Sequence, residues 1–247
     1  MLSIHWPEEV SGLHPVPIEV ELIPPPGVSV TATVRATVLG PEGFPFRYLD
    51  LLPRDGHLYA AEEPLRIPFD SPDADWQLLV SAQSTLPVEG ERILVFRPVP
   101  ILFRDLSSVL PAAADLRVPQ EFDEVAAQGD QVAGGRVWRF EGGELALWWA
   151  PGPVEPLLLS NAVVMLEATR GLQGLARVPV AEEIAWQGQT AFLFREDLPG
   201  AEGGPSESMV VQGPDYWLYL LQVRALGGET IPPLLREVWE TFTFVDL

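Results

Sequence analysis

The sequence predicts a mostly β protein in two parts. Residues 1–105 read as an antiparallel β-sandwich, and residues 119–247 as an α+β antiparallel sheet covered by helices, with a connector at 106–118. Three observations predict this. A long strict alternation of apolar and polar residues runs through 28–38. Turn chemistry recurs at short intervals through the first hundred residues. After residue 119 helical periodicity appears between strand-like runs.

The alternation is the clearest element. Val28, Val30, Ala32, Val34, Ala36 and Val38 alternate with Ser29, Thr31, Thr33, Arg35 and Thr37, the period of a half-buried strand. Gly40-Pro41-Glu42-Gly43 ends it with turn residues. Further strands are predicted at 17–23, 45–52, 57–61, 65–69, 76–83 and 91–103. Between them lie Pro24-Pro25-Pro26-Gly27, Arg54-Asp55-Gly56, Ser71-Pro72-Asp73 and Glu89-Gly90. Short strands, frequent turns and no helical period resemble an immunoglobulin-like domain in architecture. Residues 106–118 lose the alternation, and Pro111 interrupts any helix there.

In the second half, Arg136–Glu141 and Glu144–Ala150 predict a hairpin around Gly142-Gly143. Pro156 opens a helix to about Arg170, with Gly171 placed after its last turn. Two strand pairs follow, 177–185 with 189–196 and 207–212 with 215–225. A closing helix is predicted with Thr230 as its N-cap and Pro232-Pro233 in its first turn. Leu234, Leu235, Val238, Trp239 and Phe242 share one face of it. The resulting order is ββαββββα.

Two segments of this half, Ala185-Trp186-Gln187-Gly188-Gln189-Thr190-Ala191 leading into Phe192–Arg195, and Tyr216-Trp217-Leu218-Tyr219-Leu220 running through the closing helix to Thr241-Phe242-Thr243-Phe244, resemble the PsbP-like superfamily. That group includes the extrinsic photosystem protein and bacterial relatives such as the DcrB-like proteins. The resemblance covers about residues 120–247 and implies an α/β/α sandwich among binding and accessory modules. It assigns no functional residue.

Composition narrows the function classes. The 247 residues hold 35 acids and 15 basic residues, all of them Arg, for a net charge of −20. No basic field exists to hold a phosphate backbone, and the same repulsion acts against an anionic membrane surface. There is no Cys, so disulfide and thiolate chemistry are excluded. Asn161 is the single Asn beside 26 Pro, a composition expected of a GC-rich genome and compatible with a thermophile. The N-terminus carries no leader pattern and no apolar run reaches the ~20 residues of a membrane span, so the expectation is a cytoplasmic protein without a membrane span.

The sequence carries no assembled catalytic motif. His5, His14 and His57 are the whole imidazole inventory, and none pairs at metal-ligand spacing. No Gly-x-Ser-x-Gly elbow exists; Gly204-Pro205-Ser206-Glu207-Ser208 is the nearest fragment and reads as a loop. Glu182-Glu183 and Glu196-Asp197 are adjacent carboxylates of the kind glycoside hydrolysis uses. Asp70, Asp73 and Asp75 form the one calcium-loop candidate. Phosphate-cradling glycine motifs are absent, so no cofactor is expected. Trp148, Trp149, Trp186 and Trp217 are the binding candidates, because large aromatics anchor recognition surfaces when exposed. The expected function is a non-catalytic accessory, adaptor or chaperone-like module with another protein as partner. The alternative is a carbohydrate-binding or hydrolytic protein using the Trp cluster and the acidic pairs.

Overall fold

The computed structural model describes residues 1–24, 26–27, 30–84, 90–169, 180–200 and 203–245. The chain divides into two compact units, Met1–Ile101 and Leu102–Leu247. It is mostly β, with two large antiparallel sheets and two helices among the described residues, as the sequence predicts.

The first unit has strands β1 (Leu2–His5), β2 (Glu19–Leu22), β3 (Ala32–Leu39), β4 (Pro45–Pro53), β5 (Leu58–Ala61), β6 (Trp76–Ser84) and β7 (Gly90–Phe96). They form one antiparallel sheet in the order β1-β2-β5-β4-β3-β6-β7. The sheet curls until its edges approach: Arg92 on β7 donates to the Leu2 carbonyl on β1 at 2.7 Å. Its inward residues therefore face one another across one core. That core contains Val20, Leu22, Val34, Ala36, Val38, Leu78, Val80, Trp76 and Phe96. The alternation read from the sequence supplies it, since Val34, Ala36 and Val38 are buried on β3 while Arg35 is exposed. Val28 and Ser29 lie outside the described residues. The strand expected at 65–69 is reduced to a bridge between Val16 and Leu65, and residues 97–103 do not continue β7. The N-terminal strand β1 was not anticipated, because Pro7 and its polar neighbours obscure a segment of four residues.

The second unit contains β8 (Ala114–Asp115), β9 (Asp123–Gly129), β10 (Gly134–Phe140), β11 (Gly143–Pro151), α1 (Leu159–Thr169), β12 (Ala181–Trp186), β13 (Gln189–Leu198), β14 (Gly204–Gln212), β15 (Trp217–Ala225), α2 (Pro233–Glu240) and β16 (Thr243–Phe244). Seven strands form one antiparallel sheet, β12-β13-β14-β15-β11-β10-β9, and β16 pairs with β8. The expected connector is a correction. Within 106–118, Leu106, Leu110, Ala113, Leu116 and Val118 are buried, and Ala114 and Asp115 pair with Phe244 and Thr243. A segment that buries five apolar side chains is part of a core, not a linker; prolines hid its packing from a reading based on periodicity. Strand β9 was missed because all seven of its residues are exposed, so it carries no alternation. Its pairing with β10 shifts at Val137/Trp138, a bulge that blunts this open edge.

α2 forms as predicted, with Leu234, Leu235, Val238 and Trp239 buried and Phe242 fully buried after it. Its N-cap is Pro232 and no side chain caps it, so Thr230 does not have the expected role. Pro at the first turn fixes φ and needs no donor, which lets the helix start without a polar cap. Gly171 and residues 177–179, also assigned roles from the sequence, lie outside the described residues.

Adjacent strand residues alternate between two faces of this sheet. One face, bearing Leu145, Leu147, Trp149, Tyr219, Leu221 and Val223, is buried throughout. Leu235 of α2 reaches it at Gly143, and the Phe242 and Phe244 rings pack at a tilt against Tyr219, with centroids 5.5 and 5.7 Å away. The other face carries α1, whose Ala162, Met165 and Leu166 pack with Phe192, Phe194, Val210, Leu218 and Leu220. No described helix is long and apolar enough to cross a membrane.

Candidate functional site

The predicted tryptophans do not form an exposed cluster. Trp148 and Trp149 point to opposite faces, as neighbours on a strand must. Trp148 packs in the core under α1, its ring lying over Gly135 of the paired strand. Trp149 is 1% exposed, and its Nε1 donates to the Asp130 carbonyl at 2.8 Å. Trp186 and Trp217 are half-buried at a hairpin and at a strand start. Of the four, Trp149 is fully buried, and Trp148, Trp186 and Trp217 are partly buried.

The other sequence candidates are equally occupied. Arg97 places its guanidinium between Asp75, at 2.8 Å, and Asp73, at 3.7 Å. The cation expected of the Asp70–Asp75 loop is thus a side chain of the same unit, which corrects the calcium reading. Among the described residues no cluster of three potential metal ligands exists. Glu182 is bound by Arg195 at 2.7 Å on edge strand β12. His5 meets the exposed Glu21 at 3.8 Å. Gly204–Ser208 is not a loop but the start of β14, and the second unit itself contains no His to serve as a base.

What the first unit does expose is a row of apolar side chains on the outer sheet face. Registers place Tyr48 opposite Thr37, Thr37 opposite Leu79, and Leu79 opposite Ile93. Tyr48 is 73% and Ile93 57% exposed. Val95, two residues along β7, is exposed too, and Phe44 and Phe46 extend the patch at the β3–β4 turn. On the other side the row Asp50, Arg35, Ser81, Glu91 is polar, with Arg35 Nε donating to Asp50 Oδ1 at 3.0 Å. A groove of about 300 Å³ runs beside Tyr48, lined by Arg35, Thr37, Leu49 and Asp50. An aromatic ring and β-branched side chains standing in water beside a charged border form a recognition surface by composition. A sequence reading misses it because a single strand shows only that one face is polar. The exposed apolar positions lie on β4 and β7, separated by β3 and β6.

The second unit carries a polar row that alternation also conceals. On the α1 face, Glu196, Ser206, Arg224, Glu144, Arg139 and Asp123 are direct neighbours across six strands. Glu144 is clamped between Arg139, at 3.1 Å, and Arg224, at 2.8 Å. One row nearer α1, Gln222 Nε2 donates to Ser208 Oγ at 3.0 Å.

No protein-family model matches the chain, and no curated protein matches it. Among solved structures it is similar to a conserved protein of unknown function with hot dog fold from Alicyclobacillus acidocaldarius. The identity is 9%, over 90% of this chain and 95% of that one, with a TM-score of 0.18; at that score the likeness carries no argument.

Proposed function

We propose that the chain is a non-catalytic interaction module that docks a partner protein through the outer face of its first unit. The observation that carries this is the uncovered Tyr48–Thr37–Leu79–Ile93 row with its groove. Surface aromatics beside β-branched residues favour protein partners, where buried apolar anchors supply most of the binding energy. The first unit has 14 acids and 6 Arg, a balance of −8, and two Arg bordering the patch are already paired, Arg35 with Asp50 and Arg47 with Glu63. Such a field steers partners whose contact surface is rimmed by Lys or Arg. The PsbP-like resemblance of the second half, with its accessory members, agrees with an adaptor role.

The test is quantitative affinity capture from the native organism with wild type and with Ile93→Asp and Tyr48→Asp variants. Both positions are exposed, so circular dichroism and melting temperature should stay at wild-type values. Proteins retained by wild type and lost by both variants support the reading. An unchanged set of retained proteins would falsify it.

A further inference from the structure

The second unit contains a cleft of about 360 Å³ that no function is assigned to, lined by Ser108, Val109, Asp130, Gln131, Val132 and Arg136. Its back wall is built and stiff. The β9–β10 connection closes on itself: Asp130 Oδ1 accepts from the Val132 amide at 2.7 Å and the Ala133 amide at 3.2 Å. The Asp130 carbonyl is held by Trp149 Nε1 from the sheet. Arg136 is fixed as firmly. Its guanidinium lies 5.6 Å from the centre of the Trp149 ring, and Nη1 donates to the Gln128 and Gly135 carbonyls at 3.0 and 2.8 Å. Nε lies 3.8 Å from Glu124. The side chain is only 15% exposed.

The Arg136 hydrogen bonds to the sheet run through Nη1, which leaves Nη2 toward the cleft, and the exposed Ser108 and Gln131 side chains line the same space. Three hydrogen-bond donors, one of them a guanidinium near the Trp149 indole, thus border one concavity with Val109 and Val132 at its lip, and the one acid that lines it, Asp130, has its Oδ1 taken up by the Val132 and Ala133 amides. Pre-positioned donors of this kind match an acceptor-rich, negatively charged group, and a planar guanidinium edge suits a carboxylate or phosphate. We propose that the cleft binds a small oxyanion, a carboxylate or phosphate monoester group, on Arg136 Nη2 with Ser108 Oγ and Gln131 Nε2. The charge of the unit sets the size of the ligand. With 21 acids and 9 Arg the unit carries −12, so a nucleic acid or polyphosphate is repelled along its length. A single group half-enclosed beside Arg136 meets the local cation instead. Because this site lies in a different unit from the proposed docking face, neither reading depends on the other.

Isothermal titration of the full chain with sodium acetate and, separately, inorganic phosphate, at constant ionic strength, decides between the two chemistries. One saturable site for either anion is expected. Arg136→Gln should weaken it about tenfold or more, the loss of a charge-assisted hydrogen bond. That variant also gives up bonds to two carbonyls, so Gln131→Ala and Ser108→Ala, both at exposed positions, provide the readout if it fails to fold; each should weaken binding by about three- to fivefold. The proposal is overturned if neither anion gives a saturable isotherm. It is equally overturned if Gln131→Ala and Ser108→Ala both leave the dissociation constant within twofold of wild type.

Discussion

Replacing Gly135 by Ala tests the packing of the second sheet at a single methyl group. Gly135 on β10 stands opposite Trp148 on β11. A Cβ built at 135 would lie 2.6 Å from Trp148 Cδ2, with Cε3 and Cζ3 closer still. The indole lies over the glycine because nothing projects there, the arrangement by which an aromatic covers a strand glycine from the neighbouring strand. The backbone at 135 is not left-handed, so Ala costs nothing in φ and gains about 0.4–1 kcal/mol through the unfolded chain. Against that gain stands the ring. It must leave its place under α1, where it packs with the Phe192, Val210 and Leu220 cluster. Overpacking costs about 1–3 kcal/mol and full loss of a large aromatic's packing about 3–5 kcal/mol. The net expectation is a loss of about 2–3 kcal/mol, or roughly 4–12 °C in melting temperature at about 2–4 °C per kcal/mol. The sign reverses when the ring is gone: on a Trp148→Ala background, Gly135→Ala should be neutral or slightly stabilising. Thermal and urea denaturation of the four members of this double-mutant cycle give a coupling of about 2 kcal/mol or more. Additive effects, or a Gly135→Ala protein melting with wild type, would refute the reasoning that places Trp148 inside the fold rather than on a binding surface.

Two further outcomes follow from burial. Trp239, 6% exposed on α2, should cost about 3–5 kcal/mol when changed to Ala and lower the melting of residues 102–247 while the strand signal of residues 1–101 persists; a melting curve identical to wild type would move Trp239 to a contact surface. Tyr219 is fully buried and donates to Asp215 at 3.0 Å, and burial, then the Asp215 charge, raises its hydroxyl pKa. Folded-state ionisation is therefore disfavoured relative to the unfolded chain, so its contribution is complete below the ordinary tyrosine pKa of about 10 and is lost as pH rises above it; urea titrations from pH 8 to 11 should show stability falling above about pH 10, with a shallower fall in Tyr219→Phe.

The fold class was legible because both periodicities are written in the sequence where burial is one-sided. Strand β3 keeps Val34, Ala36 and Val38 inward, and α2 keeps Leu234, Leu235, Val238 and Trp239 inward. Legibility failed where burial was nil or was carried by loops. Strand β9 is exposed at every residue. The 102–122 segment buries Leu106, Leu110, Ala113, Leu116, Val118 and Phe122 without regular structure long enough to set a period. The domain boundary was misplaced for that reason: a core built from loops leaves no rhythm to read.

The candidate surfaces were illegible for a different reason, which strand β15 makes explicit. Its residues Trp217, Tyr219, Leu221, Val223 and Ala225 face the side covered by α2, and they stay apolar to the end of the strand. Its other face starts apolar with Leu218 and Leu220, then turns polar at Gln222 and Arg224. The change is a measure of how far α1 reaches. Same-face residues on a strand are about 6.6 Å apart, and a helix with its side chains is about 10 Å across. One helix therefore covers about two such rows. The rows of Leu218 and Leu220 lie in the α1 cluster; the row of Gln222 is hydrogen-bonded to Ser208; the row of Arg224 is the ion-paired ladder through Glu144. These rows are nonetheless buried at Glu144, Ser206 and Ser208, so Glu144 is satisfied by Arg139 and Arg224 and Ser208 by Gln222 rather than by water, and the ladder is a built part of the fold. The first unit presents the opposite case. On its outer face no described helix covers Tyr48, Ile93 and Val95, yet those positions are apolar. Side chains that water alone would have made polar are the ones that need a partner to explain them.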